Sequence, residues 1–541
     1  MTRSSGEIVR TRPRPSESPS LWAPLGVAVF RRLLIADLLA DIGTFMQSVG
    51  AAWLMVSFGA GPFYVALTQT ASSLPFFVFA LPAGSIGDVV DRRKLILFTE
   101  IWMVACAALL AALTLAGAMT PWLLLALTFA ISAGDALEAP AWRAVLPDLV
   151  PRGDLAAASA LNGIEFNLAR AVGPALAGAV IAAAGVGAAF LVNVASFAGV
   201  IWIVVRWRRR PPVRPAPAET LGGATVAALR YVRHSPAIMG ITARSGIVMF
   251  FGSAILALLP AVARRAGDTP LGYGFLLGCF GAGAVGGAVL SQRARARFSL
   301  DTVISGAIGM LGAVMAITAM TRPIGLLGLL MLCAGAAWLT FIALFSALVQ
   351  TMAPDWVRAR VLAIFMLVFQ GGLAAGSALW GLVGERAGIE TALVWSGLAC
   401  VATGALSYLW ALPAAPADIS RWDHWRMPAV VHDLQIALDD GPVLVTIEYV
   451  VDARHARAFV DAVRDYERVR RRDGASRWGL YHDTAAGDRY VETFVVNSWA
   501  EHLRQHTRAT QADRQLEERV QALVRGEPAV RHLIDARRSV S

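Results

Sequence analysis

From residue 33 to residue 412 the chain alternates between long apolar stretches and short polar connections rich in arginine. A helix needs about 20 apolar residues to cross a bilayer. Twelve stretches meet that length: 33–58, 63–87, 95–117, 122–141, 156–184, 188–205, 237–263, 271–290, 302–320, 324–349, 361–383 and 391–412. Glycine and proline recur inside them, as membrane helices allow, and the strict alternation of a membrane barrel is absent. Beyond residue 430 the pattern changes. Residues 443–451 read as a strand, 453–472 as a helix with Phe459, Val463 and Tyr466 on one face, and 477–482 and 490–496 as strands paired around Gly487. Helices at 499–506 and 512–525 and a strand at 530–534 complete a β-α-β-β-α-β order, which is ferredoxin-like.

The twelve spans fall into two sixes. A shift of 203 residues lays the limits of the first six on the second six, and Gly43, Gly84, Gly173, Gly178 and Gly185 then meet Gly246, Gly287, Gly376, Gly381 and Gly388. A tandem repeat of this kind is the architecture of many secondary transporters, with the substrate site between the halves near mid-membrane. The fold class read from the sequence is therefore an all-α polytopic membrane protein. It has twelve transmembrane helices in two six-helix repeats, plus a small C-terminal α+β ferredoxin-like domain. The expected divisions are a disordered cytoplasmic tail at 1–32, six-helix halves at 33–206 and 237–412, a cytoplasmic linker at 207–236, a second linker at 413–429, and the α+β domain at 430–541. Within the first linker, residues 224–234 read as a short amphipathic helix on the membrane surface.

Only 16% of residues are charged and 56% are hydrophobic, where soluble chains are about one quarter charged. The net charge of +10 raises nucleic acid as a partner, but its distribution removes that reading. Residues 1–417 hold 29 basic and 18 acidic side chains, whereas residues 418–541 hold 19 and 20. Connections on one side of the spans, with the tail before the first span, carry 24 basic residues, Arg244 among them; the other side carries 4. Cytoplasmic loops carry the excess of arginine and lysine. Both termini are therefore expected in the cytoplasm, with the protein in the plasma (inner) membrane and no nucleic acid as partner. The four cysteines stand alone in apolar runs, so no zinc or disulfide pattern is present. Lys94 is the only lysine and lies outside any phosphate-binding loop motif, which excludes a P-loop ATPase.

After the second span, Gly84-Ser-Ile-Gly-Asp88-Val-Val-Asp-Arg92-Arg93-Lys94 resembles the loop signature of the major facilitator superfamily, with Val89 and Asp91 departing from it. The second half keeps Gly287 and Arg295 but has Ser291 where the acid would stand. Gly173-Pro174-Ala-Leu-Ala-Gly178 is similar to the Gly-Pro motif of the superfamily's exporters. The segments 138–143, 145–151, 167–174, 193–197, 228–236 and 499–506 resemble the enterobactin-exporter-like (transmembrane secretion effector) branch. The C-terminal region resembles dimeric α/β-barrel domains of the antibiotic-biosynthesis-monooxygenase type. These resemblances imply a gating loop at Gly84, Asp88, Arg92 and Arg93 that latches the cytoplasmic side. They also imply packing by Gly173, Pro174 and Gly178, and a homodimer formed through the C-terminal domain.

An ionisable group inside a span is costly and usually functional. Asp37 and Asp41 lie four apart in the first span and so share a helix face. Asp41, where the branch usually carries an amide-type residue, is either a protonation site or an acid paired for structure. The fifth span holds Asn162, Glu165, Asn167 and Arg170. Arg170 needs an acidic or carbonyl partner, with Asp41, Asp135 and Glu138 as candidates, and reads as a gating or substrate-recognition residue or as a static strut. Asp135 and Glu138 read as a structural charge network or, with Asp41, Glu165, Asn167 and Arg170, as proton-coupling or substrate candidates. Phe45, Trp53, Phe76, Phe77, Phe250, Phe251, Phe365 and Phe369 are candidates to line an amphipathic-substrate cavity. His502 and His506 are four apart on a helix, but no third ligand has metal-site spacing, so they read as a solvated face with no metal and no cofactor.

The function expected is secondary, proton-coupled efflux of a small amphipathic molecule (a siderophore, drug or secondary metabolite) by alternating access, without enzymatic activity. The alternatives are an importer, or a membrane-tethered oxygenase or sensor acting through the C-terminal domain. Lipid bilayer, small-molecule substrate and protons are the expected partners.

Overall fold

The computed structural model describes residues 20–207, 221–267, 269–407, 418–422 and 436–535. The side chains at 80–89, 143, 144, 152, 221, 222 and 224 are outside the described set. Most of the tail at 1–32, part of the linker at 207–236 and most of the linker at 413–429 therefore lie outside it, as do the side chains of Gly84 and Asp88.

Six helices form the first half: α1 (Ala28–Ser57), α2 (Pro62–Val89), α3 (Arg92–Leu115), α4 (Pro121–Leu149), α5 (Leu155–Ala184) and α6 (Val186–Arg206). A short helix, α7 (Leu221–Arg233), precedes the second six: α8 (Pro236–Arg265), α9 (Pro270–Arg295), α10 (Leu300–Met320), α11 (Ile324–Met352), α12 (Arg358–Ala387) and α13 (Ile389–Leu406). Eleven of these helices are long and apolar enough to cross a membrane. The remaining long helix, α2, has 28 residues and packs between α4 and α12. Both halves use the same local device before their last helix. Gly185 and Gly388 take φ of +81° and +92° and cap the starts of α6 and α13. A side chain is strained at such angles, so glycine at these equivalent positions fixes the same turn twice.

The helices start earlier than the apolar stretches. α1 begins at Ala28 and carries Arg31 and Arg32 within its first turns. Its 30 residues span about 45 Å, well beyond a hydrocarbon core of about 30 Å. Arg244, counted among the loop cations above, instead lies inside α8.

The end of the bundle bearing α7 is called the near side, and the opposite end the far side. The halves meet on the far side. Here α5 crosses α9 and α2 crosses α12, and small residues let the backbones approach. A Cβ built on Gly178 would lie 2.9 Å from the Pro270 carbonyl oxygen and 3.1 Å from the Gly274 Cα. Trp53 stacks on Tyr273 with centroids 6.2 Å apart. The Arg264 guanidinium donates to the Val56 carbonyl (2.6 Å), and the Phe63 N–H, at the start of α2, donates to Glu385 (3.3 Å). Thr70 donates to the Ala374 carbonyl (3.1 Å) slightly deeper. These inter-half hydrogen bonds lie in the far half.

The C-terminal region folds as β1 (Val443–Val450), α14 (Ala456–Asp473), β2 (Arg477–His482), β3 (Arg489–Val496), α15 (Trp499–Arg508), α16 (Gln511–Gln521) and β4 (Ala529–Ile534). Its four strands pair antiparallel in the order β2-β3-β1-β4, the ferredoxin-like arrangement. Alternate residues of β1 (Val443, Val445, Ile447 and Tyr449) are buried with Phe459, Val463 and Tyr466 of α14. The period-2 strand and the helix face read from the sequence thus meet in one core.

This domain is docked on the near side rather than tethered loosely. Ala227, Ala228 and Tyr231 of α7 are buried, with α8 and α12 on one side and α14 on the other. The short helix thus packs one face between the bundle and the C-terminal domain, while Val226 and Leu229 stay exposed.

Candidate functional site

The ionisable groups of the first half converge on α1. Asp41 and Arg170 each lie near the middle of a 30-residue helix, α1 and α5. Those helices pack along their length, and Gly173 faces Ile42 and Phe45 of α1. Asp41 is within electrostatic reach of Asp37, Glu165, Asp135 and Arg170. Of the three acids considered for Arg170, Asp41 is the one that acts on it. Phe45 is one helical turn beyond Asp41, and Phe166 one turn before Arg170. The two rings lie 5.8 Å apart, and the guanidinium sits 4.8 Å over Phe166. The result is a patch with an acid, a cation and two aromatic rings on adjoining helix faces.

One turn nearer the near side, Asp37 accepts from the Trp142 indole N–H (2.9 Å). These two side chains line a small cleft with Asn162, Phe30 and Leu33. Asn167 instead bonds the Gly163 carbonyl of its own helix (2.7 Å), which keeps its amide out of the patch. Asp135 is solvent-accessible within α4, whereas Glu138 is buried and accepts from Thr99 (2.6 Å), with the buried Glu100 close by. Glu100 is, like Asp41, a carboxylate within an apolar run, yet it is not among the residues that the sequence pattern singles out. Equally hidden in the sequence is the buried amide pair in which Asn193 donates to Gln47 (2.5 Å).

The 203-residue offset carries Asp41 onto Arg244. Arg244 is buried, pairs with Asp301 (2.8 Å) and donates to Ser305 (2.8 Å). The two halves thus place opposite charges at equivalent heights. On the near side, Arg92 pairs with Asp148 (3.8 Å), and Arg93 donates to the Val204 and Val205 carbonyls (3.0 and 2.5 Å) at the end of α6. Asp91 caps α3 through the Lys94 N–H (3.1 Å). Of the aromatic residues considered for a cavity, Phe365 is fully buried in the packing of the second half, so it lines no cavity here. Phe77 is accessible and lies against Gly371 of α12.

The docking interface centres on Glu501. Its carboxylate accepts from Arg230 of α7 (2.7 Å) and Arg508 (2.8 Å), and pairs with Arg504 (3.0 Å). The Arg508 guanidinium lies 4.2 Å over Trp356, in the α11–α12 connection, and Arg472 lies 5.3 Å from the Tyr231 ring. Cation–π contacts of this kind contribute about 0.5–2 kcal/mol.

His502 and His506, expected on a solvated face, are both buried. Their Nε2 atoms are 3.3 Å apart, and His532 of β4 joins them, one ring nitrogen from each of the three lying within 4.8 Å of the others. Burial, reinforced by the neighbouring rings, lowers the His502 imidazole to about 3 and His506 to about 4; burial also lowers His532. Local pattern does not reveal His532, because only the β1–β4 register, His532 opposite the buried Val445, turns it under α15.

Residues 19–540 match the family described as transmembrane secretion effector. The chain belongs to that family. It is 25% identical over 391 residues to the multidrug efflux pump Tap of Mycolicibacterium fortuitum, covering 69% of this chain and 94% of that one. It is 26% identical over 388 residues to the enterobactin exporter EntS of Citrobacter koseri, covering 70% and 91%. Among solved structures the nucleoside transporter NupG shares the fold, with a TM-score of 0.57, 13% identity, and coverage of 70% of this chain and 98% of that one. This transmembrane secretion effector is a multi-span bacterial membrane protein of the major facilitator type, a secondary transporter of small molecules in the inner membrane.

Proposed function

We propose that this transmembrane secretion effector exports a small amphipathic molecule from the cytoplasm in exchange for protons. The observation that carries the reading is that Asp41 and Arg170 lie at mid-helix on adjoining faces of α1 and α5, within electrostatic reach and flanked by Phe45 and Phe166. Aromatic faces suit the apolar body of such a molecule and the charges its polar end. The names of the relatives, a multidrug pump and a siderophore exporter, support the same substrate class.

The arginine-rich near side is cytoplasmic, with both termini there. The joining of the halves across the far side supports a carrier open to the cytoplasm. In this state substrate enters from the near side while the Asp41 carboxylate holds Arg170. Substrate bound at the patch and a separation of the α5–α9 and α2–α12 crossings then open the far side. Protonation of Asp41 from that side removes its hold on Arg170, substrate leaves, and the carrier returns with the proton. The loop at Gly84, Asp88, Arg92 and Arg93 latches the near side in the other state, and Gly173, Pro174 and Gly178 keep the far seam tight. The sheet face away from the helices exposes Tyr481 and Leu533, which supports homodimerisation through this domain.

In everted membrane vesicles, acidifying the lumen is expected to drive accumulation of a transported drug or siderophore above its external concentration. Uptake that is indifferent to the pH gradient would exclude proton-coupled export.

A further inference from the structure

Three histidines of the C-terminal domain form a cluster that transport does not use. His502 and His506 project from one face of α15, one helical turn apart, and His532 rises beneath them from the edge strand β4. We propose that His502, His506 and His532 form a binding site for one divalent transition-metal ion of the zinc class.

The ligand chemistry is specific. Three imidazoles with neither thiolate nor carboxylate suit zinc and its neighbours, and offer nothing to the oxygen-seeking Mg²⁺ or Ca²⁺. Zinc–nitrogen bonds of about 2.0–2.1 Å in a tetrahedron hold ligand atoms about 3.3–3.4 Å apart. The His502 and His506 Nε2 atoms already stand 3.3 Å apart. The widest separation in the cluster, 4.8 Å, closes by a side-chain rotation of His532, which is half-buried on the edge strand.

A supporting contact orients the central ligand. His502 Nδ1 is 3.2 Å from Gln505 Oε1. An amide oxygen can only accept, so Nδ1 carries the proton and Nε2 presents its lone pair to the cluster. Gln505 is itself buried. The fourth position of the tetrahedron is left to water or to an incoming ligand. The site also has a mechanical neighbour, because Glu501, beside His502, anchors the domain to Arg230. A metal ion there fixes α15 to β4 and stiffens the helix that docks the domain.

The test uses full-length protein in detergent, purified without a polyhistidine tag and stripped with a chelator. Titration with Zn²⁺ by calorimetry and with Co²⁺ by visible absorption is expected to show one equivalent per chain. The Co²⁺ complex is expected to display tetrahedral ligand-field bands, and Zn²⁺ to slow amide exchange in α15 and β4. Since His502 is fully buried, the decisive variants are His532→Gln and His506→Gln, each checked for an unaltered melting curve in the metal-free state. Each is expected to lower affinity by more than the about 10- to 100-fold typical of an outer-shell loss; Gln505→Ala falls within that range. His482→Gln, outside the cluster, leaves binding unchanged. No saturable binding by the wild type, or equal binding by the two cluster variants, overturns the proposal.

Discussion

Asp41 and Arg170 sit where an ionised side chain is hard to keep, costing about 3 kcal/mol even on insertion scales. In the proposed cycle the ionised Asp41 lowers the cost of the Arg170 charge, which makes the two a natural switch. Asp41→Asn is expected to abolish proton-driven accumulation while preserving substrate binding, measured by ligand-induced tryptophan quenching. Arg170 presents a planar guanidinium over Phe166, a geometry an ammonium reproduces poorly. Arg170→Lys should therefore weaken substrate binding at least about tenfold, equivalent to about 1.4 kcal/mol, rather than rescue it. These two residues were legible in the sequence because each is a charge inside an apolar run. Glu100 is equally a charge inside an apolar run, but its closeness to Glu138 depends on the packing of α3 against α4, which no local pattern encodes. His532 was invisible for a similar reason: its role depends on a strand register between β1 and β4.

Among the elements, the long helices were legible because length and hydropathy alone define a span. Their ends were not, since a membrane helix continues through its flanking arginines into the interface, as α1 does from Ala28. The Gly-Pro stretch of α5 was readable as a packing seam, but its partner was not. The structure supplies α9, whose Gly274 meets Pro174 and Gly178. Gly178→Val adds side-chain atoms where even a Cβ would crowd the Pro270 carbonyl. It is expected to hold the far side open and cut efflux at least tenfold. Spin labels on the far ends of α5 and α9 would report the widened distance, and an unchanged distance distribution would contradict the seam's role. Removing the Arg264 and Glu385 contacts together (Arg264→Ala with Glu385→Gln) should shift the same distribution in the same direction without adding bulk.

At the scale of the whole molecule, the excess of arginine is read as a topology signal rather than the mark of an anionic partner, and the C-terminal domain is electrically balanced. Its ferredoxin-like order was readable from strand and helix periodicities. Its attachment was not, because the interface joins Tyr231, Trp356, Arg472, Glu501 and Arg508 from distant segments of the chain. Glu501 gathers three arginines, so Glu501→Ala leaves Arg230 and Arg508 facing one another without their carboxylate. Breaking a buried pair from one side costs about 3–5 kcal/mol, and partial exposure of Arg230 reduces that. The expected outcome is undocking of the domain, read as faster amide exchange in α7 and the α11–α12 connection, with the sheet itself still protected. Retained protection in α7 would show that the apolar contacts of Tyr231 suffice.

The central coupling is between substrate moving out and protons moving in through Asp41. It is tested most directly in proteoliposomes with a pH-sensitive dye inside and a substrate gradient imposed. Wild-type protein is predicted to move protons against the direction of substrate flow. Asp41→Asn protein is predicted to exchange labelled for unlabelled substrate across the membrane with no proton movement. Proton flux that persists in Asp41→Asn at the wild-type ratio to substrate would contradict that coupling.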